Sequence, residues 1–455
     1  MKPKHLHPEG RSAAAGVNEG VNDLASFWMP FTPNRDFKAH PRMLVRAEGM
    51  HYWDASGRKV LDAAAGLWCT NAGHTRKAIA EAIAAQAYEL DFAPTFQFGH
   101  PKAFALAARV AALAPEGMDR VFFVNSGSEA CDTALKIARA YFKAIGQGGR
   151  TRLIGREKAY HGIGFGGISV GGIAGNRRAY GPLLPDVDHL PLAYDRGVSA
   201  FSRGEPDEGA HLADALENLC ALHDPSTIAA VIVEPVSGSA GVYPPPKNYL
   251  QRLRALCDKH GILLIFDEVI TAFGRLGHAF AAERYGVTPD MITFAKGITN
   301  ASVPLGGVIA KTAIYDAFRQ GADHAIELPH GNTYSGHPLA CAAGLATLDL
   351  YAREDLFTRA LKMAPVLEDA VHSLKGAPRV IDIRNVGMAA AIDLEPDPKA
   401  PGRRGYRAMV HAFEDEALAV RISGDCIAFS PALIAEEHDI AQMIDGVRAV
   451  LAKLD

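Results

Sequence analysis

Apolar residues fall along this chain in two alternating patterns. The first is short, continuous and rich in β-branched residues: VFFV (121–124), RLIG (152–155), AAVIV (229–233), ILLIF (262–266), MITFA (291–295) and GGVIA (306–310). The second has helical spacing. Ala134, Ile137, Ala138 and Tyr141 follow VFFV at i, i+3, i+4, i+7, and Tyr249 to His260 reads as a helix stopped by Gly261. Unbroken apolar strands between helices predict a parallel sheet covered on both faces. The ends read differently. Residues 40–65 predict a small meander with an ASGR turn. After residue 336 come two long helical patterns, 338–352 and 354–374, then strand-like segments near 379–383, 388–394 and 426–429. The expected class is α/β, with a smaller α+β domain at the ends. The proposed division is a large domain over 68–335 and a discontinuous small one from 1–67 and 336–455. The first 25 residues, small and polar, read as a loose arm.

Composition narrows this picture. Hydrophobic residues are 48% and charged residues 22%, which excludes a disordered chain. Forty-seven basic against 51 acidic residues leave a formal charge of −4, with no basic footprint for nucleic acid or an anionic membrane. No apolar run approaches the ~18 residues of a membrane span, and no apolar core follows the N-terminal lysines as in a signal peptide. A cytoplasmic protein is expected. The six cysteines are scattered and predict neither zinc nor a disulfide framework. Glycine is in excess, at 44 of 455.

Ligands of open α/β sheets gather at the carboxyl ends of the strands. After VFFV comes Asn125-Ser126-Gly127-Ser128-Glu129, leading into a helix. After AAVIV comes Glu234, after ILLIF Asp267-Glu268, and after MITFA Lys296. Each has an ordinary explanation: a Ser-Gly-Ser turn caps helices, and strand-end acids and lysines are commonly solvated. Together they are the parts a pyridoxal phosphate enzyme needs. A lysine amine links to the cofactor, a carboxylate keeps the pyridine nitrogen protonated, and a helix N-terminus takes the phosphate.

The chain resembles the class III pyridoxal-phosphate-dependent aminotransferases from about Trp28 to Pro431. The resemblance is carried by NSGSEA (125–130), AYHG (159–162), VEPVSGSAGV (233–242), IFDEVITAFGRLG (265–277), TPDMITFAKGITN (288–300) and PLGGVIA (304–310). It implies fold type I, with a large, mostly parallel seven-stranded sheet. It further implies that Lys296 holds the cofactor and moves the proton, while Asp267 pairs with the pyridine nitrogen. Gly127 and Ser128 would bind phosphate. Tyr160 would stack on the ring beside His161, Val269 would pack its other face, and Glu234 would order the polar network. Thr333, in HGNTYSGHP (330–338), would reach the phosphate of a neighbouring subunit, which implies a homodimer with shared sites and leaves pairing into tetramers open.

Within that family the sequence is similar to ω-amino acid:pyruvate (β-alanine:pyruvate) aminotransferases. The segments are FWMPFTPNRDF (27–37), DAAAGLWCTNAGH (62–74), LDFAPTFQFGHP (90–101), YHGIGFGGISVGGIAGNRRAYG (160–181), VDHLP (187–191) and LAVRISGD (418–425). This implies that Trp68 lines the substrate pocket and that Arg421 pairs with a substrate carboxylate, as its planar fork suits. Trp28, Phe31 and Phe92 would form an apolar wall, Phe92 coming from the partner. The pattern departs at Gly297 and at Ile422-Ser423, leaving the amine donor open. The implied reaction is ping-pong: an amine gives up its nitrogen, and pyruvate leaves as alanine. The alternative is a class III enzyme using 2-oxoglutarate, of the γ-aminobutyrate or diamine type. A decarboxylase or aminomutase on this scaffold stands further off, as does a cofactor-binding regulatory or structural protein, which would need an added DNA-binding module and a basic cluster that the sequence does not show.

Overall fold

The computed structural model describes residues 24–454. The central sheet has seven strands: β1 (Met118–Val124), β2 (Arg152–Arg156), β3 (Val187–Leu190), β4 (Ile228–Val233), β5 (Leu263–Asp267), β6 (Met291–Phe294) and β7 (Gly306–Lys311). Their order across the sheet is β1-β7-β6-β5-β4-β2-β3. Only β7 runs antiparallel to its neighbours. Every residue of β4, β5 and β6 is buried, so their unbroken apolar runs reflect cover on both faces. Continuous apolar sequence cannot reveal strand direction, and β7 carries no mark that sets it apart.

Two helices matter for the site. Helix α1 (Gly127–Ala144) follows β1 and packs Ala134, Ile137, Ala138 and Phe142 against the sheet. Helix α2 (Tyr249–His260) ends where Gly261 takes a left-handed conformation, φ 62°. The meander at 40–65 is observed as Leu44–Glu48, His51–Asp54 and Lys59–Asp62, and its last strand pairs in parallel with Leu418–Ala419. The C-terminal sheet is antiparallel: Val380–Val386, Ala389–Leu394, Cys426–Phe429 and Arg421–Ser423. The two long helices run Pro338–Arg353 and Leu356–His372. β3, the helices Lys77–Glu89 and Pro101–Ala111, and the short strand at Arg421 are additions to what the patterns predicted. The arm up to residue 23 lies outside the described residues. Among the described residues no helix is long and apolar enough to cross a membrane. All six cysteines are free, and five are buried.

Candidate active site

The topology brings the carboxyl ends of β1, β2, β4, β5 and β6 to one rim, with the start of β7 opposite Val124. The residues singled out from sequence stand there in order.

Ser126 is the N-cap of α1, its hydroxyl accepting from the Glu129 N–H at 3.2 Å. The cap therefore uses Ser126 and leaves Gly127 and Ser128 to face the rim. A side chain at Gly127 would put its Cβ 2.9 Å from Val269 Cγ1, so glycine is what lets Val269 lie against the helix start. The Ser128 hydroxyl accepts from the Ile163 N–H at 3.2 Å, which ties the loop after Tyr160 to the same turn.

Asp267 ends β5 and is only 5% exposed. Its Oδ2 lies 2.8 Å from His161 Nδ1 and accepts from the Cys131 thiol at 3.2 Å. Its Oδ1 accepts from the Thr293 hydroxyl and the Val269 N–H, each at 3.1 Å. Burial alone would raise this carboxyl, but the hydrogen bond and charge of His161, with the other donors, hold it below the usual carboxylate range. It stays ionised. His161 directs Nδ1 at Asp267, and its Nε2 is buried without a partner. Cys131, His161 and Asp267 are close enough together to hold a metal. Burial and the Asp267 charge push the Cys131 thiol well up, and its proton is donated to Asp267 Oδ2.

Glu234, 4% exposed at the end of β4, accepts from the Tyr160 N–H at 2.9 Å and the Gly238 N–H at 3.0 Å. Burial raises it. Its backbone carbonyl and the Ser237 hydroxyl both receive Arg156 Nη2, at 2.7 Å. Arg156 is fully buried and was not singled out from sequence, because nothing local distinguishes it from a surface arginine.

Lys296 follows β6 by two residues and opens a 3-10 turn (Lys296–Thr299). Its φ is 51°, a conformation that costs a side-chain-bearing residue about 1–3 kcal/mol and persists where the surroundings impose it. Burial lowers the amine's pKa, against the raising effects of Cys69, Asp267 and Glu234. Behind it, a Cβ at Gly297 would fall 2.7 Å from Asn71 Nδ2, which explains the glycine there.

Arg421 is half-buried on its short strand and electrostatically coupled to Tyr160. Among the described residues it has no carboxylate or hydrogen-bond partner. Trp68 is buried at the end of a short turn. The remaining candidates are not gathered by one chain. Trp28 and Phe31 are 88% and 71% exposed, Phe92 packs on Tyr334 and His337, and Thr333 is exposed in the turn after Asn332.

A seven-stranded sheet of this order, with a half-buried lysine, an ionised strand-end aspartate and an open helix N-terminus on one rim, defines a pyridoxal phosphate enzyme of fold type I. The residues fit that cofactor: an anionic partner for a protonated pyridine nitrogen, an unpartnered His161 Nε2 beside it, and free backbone N–H groups at α1. Comparison with known proteins agrees. The class-III aminotransferase family model matches residues 33–451. The chain is 60% identical over 436 residues to an omega-aminotransferase of Caulobacter vibrioides, covering 96% of this chain and 99% of that protein. It is 50% identical over 443 residues to a beta-alanine--pyruvate aminotransferase of Pseudomonas aeruginosa, covering 97% and 98%. Among solved structures, an (S)-enantioselective omega-transaminase from Thermomicrobium roseum superposes with a TM-score of 0.87 at 37% identity, covering 93% of this chain and 95% of that one. A PLP-bound amine transaminase from an uncultivated Pseudomonas species gives the same TM-score and identity, covering 95% and 100%. The chain belongs to the class-III aminotransferases, and its cofactor is pyridoxal 5′-phosphate.

Proposed function

We propose that the protein transfers the amino group of an ω-amino acid or primary amine, such as β-alanine, to pyruvate, releasing an aldehyde or ketone and L-alanine. The observation that carries this reading is the near full-length identity, 50%, to the relative named for β-alanine and pyruvate. The relative named for diaminobutyrate and 2-oxoglutarate stands lower, at 35%. Bound pyridoxal phosphate supplies an electron sink for the charge left when the carbon beside the amino nitrogen loses its proton.

The chain's residues do the rest. The Lys296 amine, its pKa lowered by burial, takes that proton and returns it. Asp267, held ionised, pairs with the pyridine nitrogen. Tyr160 and Val269 hold the ring from its two faces, with Tyr160 fixed through Glu234. Gly127, Ser128 and the start of α1 take the phosphate, and Thr333 reaches the phosphate of a partner subunit. Arg421 pairs with the carboxylate of pyruvate or of the donor, and Trp68 lines the pocket. Trp28, Phe31 and Phe92 complete its wall in a cytoplasmic homodimer.

The test is acceptor choice. Purified protein given β-alanine should turn over with pyruvate, and turnover with 2-oxoglutarate alone would overturn the reading.

A further inference from the structure

The loop that carries Thr333 stands on two feet. At its far end the Thr95 hydroxyl donates to the Ser335 carbonyl at 2.8 Å, and His100 Nε2 lies 2.6 Å from the Gly336 carbonyl. At its near end Leu328 packs against the hydrophobic core, and His330 is the side chain that ties the loop to α1. The His330 ring stacks on Phe122 of β1, with centroids 5.5 Å apart and planes 11° from parallel. Its Nε2 lies 2.8 Å from the Thr133 hydroxyl and its Nδ1 2.9 Å from Lys136 Nζ, both residues on α1. Between the feet Thr333 is exposed, and Tyr334, largely exposed, sets its ring against Phe92 and His337.

The chemistry of these contacts fixes one form of the ring. A lysine ammonium can only donate, so Nδ1 must accept and cannot carry a proton. Nε2 then holds the ring's single hydrogen and donates it to Thr133. A second proton, on Nδ1, would point an N–H at an ammonium and break that bond. The charged groups acting on the ring are both on α1. Lys136 opposes protonation, as burial does more strongly, and Glu129 favours it. β1 contributes only the uncharged Phe122 face.

We propose that His330 is a positioning residue for the cofactor: in its neutral form it latches the Thr333 loop to α1 and so sets how tightly the partner subunit's phosphate is held. This rests on the reading that Thr333 reaches that phosphate. The latch also seats the loop on the same helix whose first turn receives the subunit's own phosphate. Closed at neutral pH, it releases as the ring gains its second proton in acid.

The test uses the full-length protein and pyridoxal phosphate. The apparent dissociation constant is measured by titrating cofactor into apoprotein, and cofactor loss is followed on dialysis from pH about 8 down to about 5, the range in which histidine titrates. His330→Phe keeps the stack and removes both hydrogen bonds, and is expected to weaken cofactor binding about tenfold, a change of about 1.4 kcal/mol. His330→Gln can still accept from Lys136 and donate to Thr133 but does not titrate. It is expected to bind as wild type does and to lack the part of the acid-induced loss that His330 causes. Wild-type affinity in His330→Phe overturns the proposal. Should that variant fail to fold, identical acid profiles for wild type and His330→Gln overturn it. A Thr333→Ala arm separates the two levels. Weakened binding there with an unaltered His330→Phe rejects the latch alone, whereas unaltered binding in Thr333→Ala rejects the Thr333 reading and the latch with it.

Discussion

A guanidinium withdrawn from water needs an anion to answer it, and Arg421 has none within the described chain. Burial shifts it against its charged form; the Tyr160 phenol favours its charge, and the Lys296 amine lies within its electrostatic reach. In the proposed reaction a substrate carboxylate would supply that anion. Charge-assisted hydrogen bonds are worth about 1.5–3 kcal/mol, or roughly 10- to 150-fold in binding. Arg421→Ala should therefore raise KM for pyruvate by about that factor while changing turnover of a donor amine without a carboxylate far less. Steady-state kinetics with both donor types checks this, and equal losses for both would remove Arg421 from substrate recognition. Lys296 and Asp267 were legible at this scale because each directly follows or ends a continuous apolar strand. Several polar partners were not. Cys131 and Thr293, which bond Asp267, and Arg156, which bonds Glu234, come from distant positions, and His330 gained meaning only when the fold laid it on α1. Polar partnership across a sheet leaves no local pattern.

At the scale of elements, the rim depends on two close backbone approaches. Gly162 has φ 89°, and a Cβ there would fall 2.5 Å from Ser128 Cα, which is backbone and cannot swing aside. Gly127 meets only the Val269 side chain. Gly162→Ala should thus cost about 3 kcal/mol or more, combining left-handed strain with a clash at the phosphate turn. Gly127→Ala should cost less and act mainly on cofactor binding. Denaturant unfolding of the two apoproteins checks the order, and equal stabilities would contradict it. Long elements were legible here. Tyr249–His260 appears with its predicted ends, because a left-handed glycine stops it. β3 and Arg421–Ser423 were missed because four or three residues of mixed polarity make a strand only through their neighbours. The excess glycine flagged by composition is partly explained at this scale, as contacts between backbone segments around the rim.

The whole molecule leaves much apolar surface unused. Phe27, Trp28, Phe31, Phe96, Phe98 and Phe104 are all more than half exposed. Isolated apolar side chains on a surface are ordinary, but this many large aromatics call for a partner surface. If the protein is the proposed homodimer, sedimentation at micromolar concentration should give a mass of twice 48.6 kDa, and a stable monomer holding full activity would contradict the shared site. The sequence patterns supplied the layered α/β core and the separate character of the ends. They could not supply which exposed residues a partner chain would cover, because hydrophobic periodicity reports burial within one fold.

The central claim is that the protein stores an amino group and hands it to pyruvate. It is tested most directly by separating the two halves of the reaction. Cofactor-loaded protein is treated with β-alanine alone and freed of small molecules. It is then mixed with pyruvate or with 2-oxoglutarate, and the amino acid released is counted. Close to one alanine per active site is expected with pyruvate, and little glutamate with 2-oxoglutarate. Recovery of glutamate alone, or of no amino acid from either, would contradict it.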